Sequence, residues 1–241
     1  MTKLIFAFFS CAALLLADIT VAAAASYKNA LTEVVGAYKG GKVETVFAAS
    51  GKLTQQIGEG ADFDVFMSAD LKFPQEVVKN GWANGGVIAT VENKLILWSR
   101  SIDLKNGLNV LTDKSVKQIA IANPKTAPLG AAAVQALEKA GLYKKIESKL
   151  VQGDNISQAT TYVESGSAEV GITGYSVVAE IIAKGEGKYA YIDSKLYDPL
   201  LYGTVILKNT KKLDEAKKFV AFLKSDEAVK IFAKHGLSVI K

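Results

Sequence analysis

The sequence predicts an α/β protein of two lobes, each built on a mostly parallel sheet flanked by helices, with the chain crossing between lobes twice. Three observations carry this. Short apolar runs alternate with helical patterns along almost the whole chain, the rhythm of successive strand–helix units. Two longer extended segments, 91–100 and 200–208, break the rhythm and suit one crossing and one return. The chain has 241 residues, 49% of them hydrophobic and 22% charged, which is enough for a substantial core and is the balance of a folded protein.

The opening stretch "MTKLIFAFFSCAALLLA" holds one lysine and then an apolar run of signal-peptide length. It is too short, and too soon followed by Asp18, to span a bilayer. Residues 1–17 are therefore expected to be an export signal cut after Ala17, since a cut among Ala22 to Ala25 would remove the buried strand in "DITVAAAAS". Cys11, the sole cysteine, falls inside this signal. Lipid attachment at Cys11 is the lesser alternative, since the cysteine would follow a short apolar run and "AALLLA" would be left unexplained. The mature chain then has no thiol, no disulfide and no thiolate metal site, and no later run long enough to cross a membrane. A soluble, exported protein is expected.

From there the elements follow in order. A strand over 19–25 leads into a helix over 28–39 that stops at Lys39-Gly40-Gly41. A second strand, 43–49, feeds a helix from Ser50 to Gly58. "DVFMSAD" is a short strand leaving a small-residue turn, and Pro74 sits in the first turn of the next helix, where a missing N–H does no harm. "VENKLILWSR" is extended, and 101–115 has poor periodicity. "KQIAIANP" is a strand stopped by Pro124, and a helix from 129 ends at Gly141. "KLVQGDN" reads as strand and turn, "ISQATTYVESG" as a helix ended by Gly166, and "AEVGIT" as a buried strand. A helix over 175–184, the strand "KYAYID", the extended "LLYGTVILKN" and two amphipathic helices complete the chain. No solenoid repeat is present. Lobe one is expected to comprise 18–96 plus 205–241, and lobe two 97–204.

Composition excludes several functions. The formal net charge is +5, or +4 once Lys3 leaves with the signal, but the lysines are spread along helical faces without interleaved aromatic residues. That pattern is a solvated surface, not a nucleic-acid site. His235 is the only histidine and stands at the end of the last helix, where a cation suits the helix dipole, so neither a Ser-His triad nor a zinc site has its parts. Asp62, Asp64 and Asp70 are close in sequence, yet Asp70 suits a helix cap and the others flank a turn. "GAYKGGKV" nearly spells a phosphate-binding loop, but Val43 replaces the required hydroxyl residue and the glycines follow a helix.

Two junctions point to a site. "VAAAAS" and "FAAS" each end a buried strand in small residues and open a helix at a serine, Ser26 and Ser50. A helix start presents unpaired N–H groups and a partial positive charge, and favours an anion. Taken singly, either serine reads as a plain N-cap. Taken together they lie on one edge of a parallel sheet, where ligands collect. "TAPLGAAA" and "GDNISQA" repeat the pattern in the second half, where Leu129 and Ile156 offer only backbone N–H groups. Four helix starts, two per lobe, can surround one anion without Arg or Lys. The mature chain has a single arginine, Arg100, at a crossover, which disfavours an organic carboxylate.

At these residues the sequence resembles the periplasmic molybdate-binding proteins of ABC importers. The resemblance covers the mature chain through "AAAASYKNAL", "FAASGKLTQQIGEGADFDVFMSAD", "GDNISQATTYVESGSAEVGIT" and "FLKSDEAVKIFAKHGLSVIK". It implies a type II-like two-lobed binding fold, a monomer, no cofactor, and molybdate or tungstate held in the cleft through hydrogen bonds, with no metal coordinated directly. It also implies delivery to an importer permease. Carried over by position, the ligand residues are Ser26, Tyr27, Ser50, Leu129 and Ile156. A tyrosine is expected at the position that Gly174 occupies, and Tyr175, one place later, stands in for it, with Ser176 a weaker substitute. The alternatives are a protein of this fold for sulfate or phosphate, or a cleft enzyme, for which no general base is evident.

Overall fold

The computed structural model of this chain describes residues 19–240; the expected signal with Cys11 lies outside the described residues. In chain order the first elements are β1 (Ile19–Ala24), α1 (Lys28–Ala37), β2 (Val43–Ala48), α2 (Ser50–Gly58), β3 (Val65–Met67), α3 (Lys72–Lys79) and β4 (Ile88–Asn93). Then come β5 (Leu95–Ser99), β6 (Ile119–Ala122), α4 (Pro128–Lys139), α5 (Tyr143–Ile146), β7 (Leu150–Gly153), α6 (Ile156–Glu164), β8 (Val170–Gly174), α7 (Tyr175–Ala183) and β9 (Lys188–Tyr191). The last are β10 (Leu200–Ile206), α8 (Leu213–Phe222), α9 (Asp226–Lys234) and β11 (Ser238–Val239).

Two sheets result. One has the order β11-β4-β10-β3-β1-β2 and the other β7-β6-β8-β5-β9. The strands of the strand–helix units pair in parallel, β1 with β2 and β3, and β6 with β7 and β8. The strands next to the crossings pair antiparallel, β10 with β3 and β4, and β5 with β8 and β9. Side-chain alternation splits each strand between two layers. Val21 and Ala23 face the large core, whereas Ala22 joins Leu53, Phe66 and Val77 beneath α2 and α3. In the second sheet Ile96, Trp98 and Ala120 pack under α6 and α7 in the same manner.

The extended segment 91–100 is two strands in different sheets. Asn93 Oδ1 accepts from the N–H of Lys94 at 2.8 Å, a local bond that competes with a continuous ladder. The chain changes sheet there and returns before Leu200, so the boundaries expected at 96/97 and 204/205 fall inside β5 and β10. β11, too short to show a period, adds an edge strand that the sequence did not suggest. His235 does end the last helix, but it is fully buried, with Nε2 2.8 Å from Glu33 Oε2 and Nδ1 3.4 Å from Glu180 Oε1 on α7. The hydrogen bond from Lys234, then that from His235, holds the Glu33 carboxyl below its usual range.

Candidate functional site

The parallel strands β1, β2, β6 and β7 end at the gap between the sheets, and each hands the chain to a helix start there. One small cavity lies at that gap. Its wall is made of Ala24, Ala25 and Ser26 at the end of β1, Ala48, Ala49 and Ser50 at the end of β2, and Ala69 after β3. Ala127, Pro128 and Leu129 before and in α4, with Asn155 and Ile156 at α6, close it from the other side. It is small, with free space of about 10 Å³, room for about one water molecule. No charged side chain lines it. The alanines are functional in this sense: any larger side chain would fill the space and hide the backbone.

Neither serine caps its own helix. Ala49 is the N-cap of α2, and no side-chain cap bond forms there or at the 3-10 turn Ala25–Tyr27. Ser50 is fully buried, and its Oγ accepts the Ala69 N–H at 3.1 Å. With that lone pair engaged, its proton is free to be donated. The "SAD" turn holds the Ala69 donor in place: Ser68 Oγ donates to Asp70 Oδ1 at 2.8 Å, and that oxygen also accepts from Phe73 N in the first turn of α3. Burial, partly offset by these bonds, raises the Asp70 pKa. Ser26 Oγ is buried and makes no well-formed hydrogen bond.

Across the gap, α4 opens with Pro128, which has no N–H, so Leu129 supplies its first donor. Asn155 caps α6 by accepting from Gln158 N, which leaves the N–H groups of Ile156 and Ser157 as the helix mouth. The two sides are in contact around the cavity. Gly51 N donates to Thr126 O at 2.9 Å, Ser176 Oγ to Ser26 O at 3.1 Å, and Lys52 pairs with Asp154 at 3.1 Å.

The structure thus brings Ser26, Ser50, Leu129 and Ile156 to one cavity; Tyr27, expected to offer only its backbone N–H, directly follows Ser26, and Tyr175 is not part of the wall. The Tyr27 ring is buried edge-on to Tyr202 and Phe232. The Tyr175 ring turns outward, 5.4 Å from that of Tyr189 and 5.8 Å from that of Tyr191, because it begins α7 one residue past the strand that points at the gap. Gly174, where a tyrosine was expected, has no room for one: a Cβ there would lie 2.6 Å from Asn93 Nδ2 and 3.1 Å from Leu129 Cδ1. Residues missed by sequence reasoning include Asn155, whose place before a helix was a cap signal, and Ala69, which carried none.

A family model described as bacterial extracellular solute-binding protein matches residues 19–238. The molybdate-binding protein ModA of Rhodobacter capsulatus is 35% identical over 223 residues, which cover 91% of this chain and 87% of that one. A Bacillus subtilis relative, whose name refers to an ABC transporter substrate-binding lipoprotein, is 32% identical over 91% of this chain and 86% of its own. Among solved structures, the Azotobacter vinelandii periplasmic molybdate-binding protein superposes with a TM-score of 0.88 at 29% identity, covering 92% of this chain and 100% of that one. With nearly its whole described length matched by the family model, and with relatives above 30% identity along it, this chain belongs to the family of bacterial extracellular solute-binding proteins.

Proposed function

We propose that this protein captures molybdate or tungstate between its two sheets and delivers it to an ABC importer. The observation that carries the reading is a small cavity whose only side-chain hydroxyls, Ser26 and Ser50, stand at helix starts and whose wall holds no charge. A tetrahedral dianion matches it, since each hydrogen bond to a charged group contributes roughly 1.5 to 3 kcal/mol. Ser26 and Ser50 give hydroxyl donors from one side, and the Leu129 and Ile156 N–H groups give backbone donors from the other. Sulfate has the same charge and shape as molybdate, so discrimination rests on cavity size. The names of the relatives at 35% identity and of the structure at TM-score 0.88 support the choice of molybdate.

In this reading residues 19–93 with 200–240 form one lobe and 95–199 the other, and contacts from both to one ion favour the closed state. The protein is exported to the periplasm, works as a monomer and performs no chemistry on its ligand. Calorimetric titration of residues 18–241 with molybdate, tungstate, sulfate and phosphate in competition tests it. Binding of the first two with sulfate and phosphate at least a hundredfold weaker is expected. Preference for sulfate or phosphate would overturn the assignment.

A further inference from the structure

The turn that carries Ser26 is gripped from the opposite side of the gap. Ser176 and Ser157 are the second residues of α7 and α6. Ser176 Oγ donates to the Ser26 carbonyl at 3.1 Å, and Ser157 Oγ reaches the Ala25 carbonyl at 3.5 Å. Ser176 is 1% exposed and stands outside the cavity wall. Its bond therefore holds an oxygen that would repel an anion on a donor away from that space, while Ser26 Oγ is left without a well-formed bond of its own. Behind Ser176 stands Asn93, the last residue of β4, whose amide hydrogens go to Ser176 Oγ and to the Tyr202 hydroxyl, both at 2.8 Å. Asn93 Oδ1 accepts from the N–H groups of Lys94 and Ser176 at 2.8 and 3.4 Å. Backbone N–H groups only donate, so they fix which end of the amide is oxygen. With Asn93 donating to it, Ser176 Oγ has its own proton left for the Ser26 carbonyl.

We propose that Ser176 is a positioning residue that couples closure to the form of the ion site: oriented by Asn93, its hydroxyl holds the Ser26 carbonyl and so fixes the backbone from which the free Ser26 hydroxyl reaches the oxyanion. The inference rests on the cavity being the oxyanion site. Ser26 belongs to one lobe and Ser176 to the other, so the bond exists only while the two sides are together. Asn93 is the last residue before the chain crosses, where a hinge displaces least, and it keeps the Ser176 proton aimed as the Ser26 carbonyl arrives. The chain of donors has one direction, because the amide hydrogen at its root can only donate, and successive buried hydrogen bonds polarise one another. Gly174 keeps the root in place, since a Cβ there would lie 2.6 Å from Asn93 Nδ2. In the open form water takes up the Ser26 carbonyl and the Ser176 hydroxyl, so the bond is worth what an ordinary neutral hydrogen bond is worth, a few-fold in affinity.

A double-mutant cycle on residues 18–241 tests this, with the wild type, Ser176→Ala, Ser26→Ala and the double variant each titrated calorimetrically with molybdate, tungstate and sulfate and followed by stopped-flow dissociation. Ser26→Ala keeps the carbonyl that Ser176 holds and removes only the hydroxyl it positions. Ser176→Ala is expected to weaken binding about 3- to 10-fold in the wild-type background, through faster dissociation, and less than about 2-fold in Ser26→Ala. A hydroxyl with only a structural role would cost the same in both. Ser176→Cys, close in size and a weaker donor, is expected to fall between alanine and the wild type, and it carries the cycle should the alanine variant fail to fold. Equal losses in both backgrounds, or none in the wild type, would overturn the proposal. A wild type that takes sulfate alone would refute the molybdate reading while the cycle still judges Ser176 on sulfate. One that takes none of the three would overturn both.

Discussion

Ser50→Ala removes two interactions that separate experimentally. The hydroxyl proton, free because the lone pair is held by Ala69 N–H at 3.1 Å, is the donor assigned to the ion. Losing one charge-assisted hydrogen bond costs about 1.5 to 3 kcal/mol of binding, a factor of roughly 10 to 150 in affinity. The same change leaves the Ala69 N–H without its acceptor beside a residue that is 0% exposed. A buried donor left unmatched costs about 1 to 3 kcal/mol of fold stability. At roughly 2 to 4 °C per kcal/mol for a chain of this size, the ligand-free melting temperature should fall by about 2 to 12 °C. Calorimetric titration with molybdate reads the first effect, and thermal unfolding of the ligand-free protein reads the second. An affinity unchanged from the wild type would remove Ser50 from the site, whatever the melting curve shows.

Gly51→Ala should weaken closure: a Cβ there meets Thr126 Cα and O at 3.1 Å across the gap, and on its own side the tip of the Phe73 ring, Cζ, at 3.0 Å. Stopped-flow dissociation is expected to speed up about 10-fold, and an unchanged rate would show that the two sides need not approach this closely. In alkaline titration followed by phenolate absorbance, Tyr202 should ionise near pH 12, with Tyr27 also late because of burial. Since the folded pKa of Tyr202 lies above the unfolded value of 10.0, its stabilising contribution is complete below pH 10 and disappears as the pH climbs through about 12. Ionisation of all nine tyrosines together near pH 10 in the folded protein would contradict this. Raising salt from 0.01 to 0.5 M should slow association several-fold while leaving dissociation within about 2-fold, because the net positive charge steers but does not bind. Dissociation that rises steeply with salt would place a cation in the site.

The strand–helix rhythm and the four helix starts were legible because both are local signals: an apolar period, a small-residue strand end and a first-turn residue lie within a dozen positions of one another. The placement of Ser26 and Ser50 on one edge followed from parallel pairing alone. What each serine bonds did not. Ser50 is fixed by Ala69, 19 residues on, and Ser26 by Ser176, 150 residues away. Nothing periodic marks Asn93 as the place where the chain changes sheet, because its partner Tyr202 is 109 residues distant. Tyr175 was misplaced for a related reason: position in a motif fixes the backbone, but the first helical residue after a strand rotates its side chain off the strand's axis, here toward Tyr189 and Tyr191.

The absence of a cation from the cavity wall follows from what the protein must do twice, with the ion and without it. A buried arginine matched to a dianion would stand uncompensated once the ion left, and an unpaired buried charge is strongly destabilising. Hydroxyls and helix-start N–H groups carry no such penalty, since water satisfies them when the cleft opens. At the rim Lys52 meets Asp154 at 3.1 Å, with both side chains about half or more exposed. A pair so placed contributes at most about 1 kcal/mol to holding the two sides together. The ion, bonded from both sides at once, adds to the hydrogen bonds that already join them, and this differential stabilisation of the closed form is what lets it report occupancy to a membrane partner.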